Sequence, residues 1–182
     1  MRRVVITPTV LPSSALAELK QWLGITTTRD DIVLSGLLSA ALETCEAYTG
    51  LMPIETECEE ILAIRSGWQF LTTRPVQAIT ALEAFDADGA RATVPAANHE
   101  IELDADGAGR VRVLRPGSAK RIAVRFTAGL AASWADLSEA LRHGVLRLAA
   151  HQHRERETAG AGALPPASVA ALWRPWRRVR LA

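Results

Sequence analysis

Between Ser133 and Glu157 apolar positions recur at helical spacing. Leu137, Ala140, Leu141, Gly144, Val145, Leu148 and Gln152 follow i, i+3, i+4, i+7, i+8 steps, apolar until the last member. That is one stripe of a 3.6-residue period. Asp136 and Glu139 have the spacing of a capping box, and Ser133 with Asp136 repeats it one turn earlier. The pattern predicts a helix of about 22 residues, roughly 33 Å long. Leu146 and Ala150 lie off the stripe, almost opposite Leu137 and Leu141. A helix apolar on two sides usually has two neighbours. The second neighbour of Leu146 and Ala150 could be another part of the chain or another subunit, which leaves them a candidate subunit–subunit face; the plainer alternative is one leucine on a solvated face.

Two shorter helices are predicted near the N-terminus, after an extended Val4–Leu11. Ser13 or Ser14 can cap Ala15–Leu23, with Leu16, Leu19 and Leu23 on one face and Gly24 as the stop. The second, from Asp30, carries Leu34, Leu37, Leu38, Ala41, Leu42, Cys45 and Tyr48 on one stripe and ends at Gly50. That stripe makes Cys45 a small core residue rather than a ligand.

From Met52 to Phe126 the period changes to two. Strands are expected over Ile54–Ile64, Val76–Phe85, Glu100–Leu103, Arg110–Leu114 and Arg121–Phe126. Asp86–Gly89 and Asp104–Gly109 read as turns. Ile101 and Leu103 would share a face with Val111 and Val113, and Glu102 and Asp104 could face Arg110 and Arg112. Glu55, Glu57 and Glu59 alternate outward from the first strand, and with Glu60 they read as a charged edge that discourages aggregation rather than as a metal-binding acid cluster. The fold class is α+β: a helical body (1–51 and 127–158), an inserted antiparallel β-meander (52–126), and a hinge with a C-terminal tail (159–182).

Charge changes the picture only at the end. The chain has 182 residues and a formal net charge of +1. Four of its 21 basic residues and none of its 20 acids follow Glu157, so the rest of the chain is close to −3. After the small-residue joint around Gly160, Gly162, Pro165 and Pro166 comes a segment holding Trp173, Trp176 and four arginines. Apolar anchors and arginines on a flexible leash suit a docking peptide, and Pro175 between the indoles favours an extended form. The same residues suit single-stranded nucleic acid, but four arginines are few for an autonomous binder. A nucleic-acid-binding regulator is the alternative reading.

No catalytic constellation is found, and no cofactor or metal is expected. Asp104-x-Asp106-Gly107 lacks the acid of a calcium loop at its twelfth position, which is Arg115. His151 and His153 are two apart, on different sides of a helix. No nucleotide-binding or hydrolase signature is present. Two cysteines make no disulfide framework, and no stretch reads as a signal peptide or membrane span.

The order of several elements resembles the head–tail connector (adaptor) proteins of tailed phages and gene transfer agents. It runs through Glu46-Ala-Tyr48-Thr-Gly50, Arg74-Pro75-Val76, Phe126-Thr-Ala-Gly129-Leu130, the long helix ending His151-x-His-Arg-Glu, and Val169-Ala-Ala-Leu172-Trp173-Arg-Pro175-Trp176-Arg177. Trp173 and Trp176 stand where the family usually has Leu and Tyr. The resemblance implies a ring of this chain, usually a dodecamer, in the neck of a phage-like particle. Its partners would be the portal ring, the next neck or tail component (stopper or tail terminator), and double-stranded DNA passing through the channel without sequence-specific contacts. It also implies portal docking by the tail, through Leu172, Trp173, Pro175, Trp176, Arg177, Arg178, Arg180 and Leu181.

Overall fold

The computed structural model describes residues 3–86, 88–155 and 165–177. In chain order it runs β1 (Arg3–Thr7), α1 (Ser13–Leu23), α2 (Asp31–Thr49), β2 (Thr56–Ala63), β3 (Gln69–Phe70) and β4 (Val76–Phe85). It continues with β5 (Arg91–Thr93), β6 (His99–Leu103), β7 (Gly109–Val113), β8 (Arg121–Ala128), α3 (Glu139–Glu155) and α4 (Ala167–Trp173). These form two compact units, a β unit from residues 1–9 and 55–130 and a helical unit from 10–54 and 131–182.

In the helical unit, Gly24 and Gly50 end α1 and α2 in the left-handed conformation, at φ 72° and 74°. A side chain there would be strained, which is why glycine stops these helices. Leu19 of α1, Leu34 and Leu38 of α2, and Leu141 and Val145 of α3 meet in one core. Cys45 belongs to it; burial, reinforced by Glu46, pushes its thiol pKa up to about 12, so it is an unreactive core residue.

The long helix begins later than its periodicity suggests. Residues 133–138 form turns, with Asp136 N–H donating to Ser133 O at 3.2 Å and Leu137 N–H to Trp134 O at 3.3 Å. The Ser133 hydroxyl donates to the Asp136 carboxylate at 2.6 Å, so the pair serves a turn rather than a helix start. These turns seat Trp134, which is 1% exposed and donates its indole N–H to Glu18 Oε1 at 3.2 Å.

In the β unit the named strands pair antiparallel in two sheets, ordered β1-β2-β8-β4-β5 and β3-β7-β6. The last strand, β8, lies between β2 and β4. In the smaller sheet Glu102 stands opposite Arg110 and Glu100 opposite Arg112. Each pair forms a cross-strand salt bridge, while Asp104 lies 3.6 Å from Arg110.

The acids of β2 are not a protective edge. β1 covers one side of β2 and β8 the other, so β2 is interior, and Glu59 and Glu60 are buried. Glu60 accepts hydrogen bonds from both the N–H and the hydroxyl of Thr72 and of Thr73, at 2.7–2.9 Å. Glu59, on the opposite face by strand alternation, lies 2.7 Å from Arg91 and 3.2 Å from Arg125.

Candidate docking segment and exposed bundle faces

Residues 165–177 carry the first part of the expected docking peptide, and they are not extended. Val169 and Ala170 donate their N–H groups to Pro166 O at 2.8 and 2.9 Å, closing the first turn of α4. Pro165 and Pro166 have no N–H to lose at this end, so they are tolerated where a helix starts. After Trp173 the chain tightens into a 3₁₀ turn, Arg174–Trp176, with Pro175 inside it.

Trp173 is 0% exposed. Its indole N–H donates to Leu141 O of α3 at 3.3 Å, and its ring lies 5.9 Å from that of Tyr48 on α2. Gly144 makes this fit: a methyl group there would overlap the Trp173 indole. The expectation of a solvent-leashed Trp173 is therefore corrected. A bulky indole beside a glycine notch gains more by packing on its own helical unit than by waiting in water.

Leu172 and Trp176 are half-buried at the margin of the same core. Pro175 is exposed, and the Arg177 guanidinium sits over the Tyr48 ring at 5.2 Å. Arg178, Arg180 and Leu181 lie outside the described residues, as does the Gly160–Gly162 part of the joint.

Leu146 and Ala150 are also accounted for within their own unit, at 8% and 1% exposure. The two-sided apolar pattern of α3 is real, but its neighbours are α1, α2 and α4 of the same chain. Little of either side chain is left for another subunit.

Sequence reasoning missed Trp22. It is 44% exposed at the end of α1, edge-on to His143 at 5.1 Å and under the Arg147 guanidinium at 5.9 Å. The signal was an indole set off the Leu16–Leu19–Leu23 face, with no core position to fill.

Among the described residues no group of three or more His, Cys, Asp or Glu side chains is arranged to hold a metal. No described helix is long and apolar enough to cross a membrane. Asp104 and Asp106 organise a turn: Gly107 N–H donates to Asp104 O, and Ala108 N–H to the Asp106 carboxylate. His151 pairs with Glu155 one turn on, at 2.9 Å.

The described residues form an α+β fold whose helical unit shows partly exposed aromatic and cationic side chains, Trp22, Trp176 and Arg177. The family model described as phage gp6-like head-tail connector protein matches residues 13–80. A chain in the neck of an empty gene transfer agent (GTA) particle, computed with C6 symmetry, is 30% identical with a TM-score of 0.79. The match covers 100% of this chain and 98% of that one. A chain of the native GTA neck, computed with C12 symmetry, is 30% identical with a TM-score of 0.76, over 100% and 98%. One from the virion of a native GTA particle is 29% identical with a TM-score of 0.77, again over 100% and 98%. No curated protein sequence matches the chain. The chain belongs to the phage gp6-like head–tail connector family, and it is a structural connector.

Proposed function

We propose that copies of this chain close into a twelve-membered ring in the neck of a phage-like particle, in a role that is not enzymatic. The ring binds the portal on one side and the next neck or tail component on the other, and double-stranded DNA passes along its axis. One observation supports this above the rest: the end-to-end likeness to a chain of a gene transfer agent neck. Portal docking falls to the segment from Arg174 onward, with Pro175, Trp176, Arg177, Arg178, Arg180 and Leu181, flanked by Leu172. Trp173 holds that segment's base on the helical unit.

The test is a truncation after Trp173. It removes the proposed anchors and leaves α4 seated, whereas deletion from Ser168 would also remove the buried Val169 and Trp173. The truncated chain should melt close to the full chain and fail to co-purify with portal. Attachment at the full-length level would overturn the docking role. The nucleic-acid reading loses support here, because the Trp173 indole that would stack on bases is already buried.

A further inference from the structure

The helical unit has two faces that the docking segment does not use, one largely half-buried and one exposed, and they are unlike each other. The first is the strip of α3 that carries His143, Arg147 and His151 at four-residue steps, with Trp22 of α1 beside it. It is aromatic, with Arg147 as its fixed positive charge. His143 Nε2 is buried there with no hydrogen-bond partner among the described residues. A buried polar atom left unsatisfied is costly unless a group from outside reaches it.

The second face is the outer side of α2. Ile32 is 89% exposed and Val33 46%; Gly36, Ser39, Ala40, Glu43 and Ala47 continue it, all exposed. Its hydroxyls are already spent on the helix itself. Ser35 donates to Asp31 O at 2.8 Å, Ser39 to Ser35 O at 3.2 Å and Thr44 to Ala40 O at 2.8 Å. Covering this face therefore strands few polar groups, and Glu43 is the one charged residue among those named on it.

We infer that these two faces meet between copies: the Trp22–Arg147 strip of one chain docks on the outer face of α2 of the next, with Arg147 opposite Glu43 and the Trp22 indole on the shallow stretch at Gly36 and Ala40. This rests on the ring reading above. A cyclic assembly of more than two copies needs two different, complementary surfaces, and the solved relatives come from necks with C6 and C12 symmetry. The faces lie on different helices, and one carries the Arg147 guanidinium where the other carries the Glu43 carboxylate. An indole and an arginine against a smooth, internally satisfied helix have the make-up of an interface hot spot.

The test is a charge swap, read by electron microscopy of particles assembled with full-length chain. Glu43→Arg changes an exposed residue and Arg147→Glu a half-buried one that lies over the Trp22 ring, so the melting midpoint of each variant is read alongside and should stay close to that of wild type. Each alone places like charges together across every contact and should cut incorporation into necks by about tenfold or more. The double variant restores opposite charges and should return to within about twofold of wild type. Single variants that assemble as wild type overturn the surface assignment and leave the ring reading standing. Impaired single variants without rescue in the double overturn the Arg147–Glu43 pairing. Wild-type necks with no closed ring of this chain overturn the ring reading, and this inference with it.

Discussion

The helical unit and the β unit bury their side chains by different physics. In the helical unit the interior is apolar and aromatic, and fit is a matter of volume: Trp173 enters because Gly144 has no side chain. In the β unit two adjacent residues of an interior strand are carboxylates. Glu60 is held by four neutral donors and Glu59 by two guanidinium groups. A volume-based fit tolerates an apolar swap of equal volume better than a change of size. A polar socket does the reverse, because each donor left unpaired costs free energy. The two kinds of interior should therefore fail differently when probed.

The largest effect is expected where the volume fit is tightest. Trp173→Ala should cost about 3–5 kcal/mol in urea denaturation, the range for a buried tryptophan. Gly144→Ala should cost about 1–3 kcal/mol by overpacking. Once the indole is gone the added methyl has room, so Gly144→Ala should be nearly neutral on the Trp173→Ala background, a strong non-additivity. Were α4 only a leashed peptide, Trp173→Ala would leave the midpoint where it is.

The same contrast explains what could be read in advance. The α2 stripe and its stop at Gly50 were legible, because helical periodicity encodes which face is covered. The β4 span Val76–Phe85 was legible from alternation and its turn. The place of Glu59 and Glu60 was not: local pattern marks acids as outward, and only the β1–β2–β8 order makes β2 interior. The late start of α3 was hidden as well, because Trp134 is apolar at a spacing that also suits a helix. Trp173 was misjudged for a related reason. Its burial depends on the notch at Gly144, 29 positions earlier, and no window of local sequence joins the two.

A medium effect is expected at Glu60. Glu60→Gln keeps the shape and one acceptor oxygen, but turns an NH₂ group toward donors that need an acceptor. The loss should be about 2–3 kcal/mol, the scale for hydrogen bonds to a charged group together with an unsatisfied donor. Glu60→Leu, of similar bulk, should be at least as damaging, because the Thr72 and Thr73 donors stay behind. If Glu60→Leu were neutral, this socket would be a volume fit after all and the contrast between the two units would collapse.

The smallest effect is at Glu59, and its signature is a pH dependence. Hydrogen bonds from Arg91, with those from Arg125 and both positive charges, hold its carboxyl below the ordinary range against the upward pull of burial. A folded pKa below the unfolded one adds stability that is fully present above the unfolded value, about 4.3 for a glutamate. That stability is lost as pH falls through the folded pKa. Glu59→Gln should therefore be less stable than wild type at neutral pH, and the two should converge as the solution is acidified below about pH 4. Arg91 and Arg125 are 38% and 41% exposed, so solvent screens the pair and keeps the neutral-pH difference modest. Added salt should narrow that difference further. A gap between the two proteins that stayed constant from neutral to acid pH would mean that Glu59 contributes packing and not charge, and the β unit would then resemble the helical one at this position.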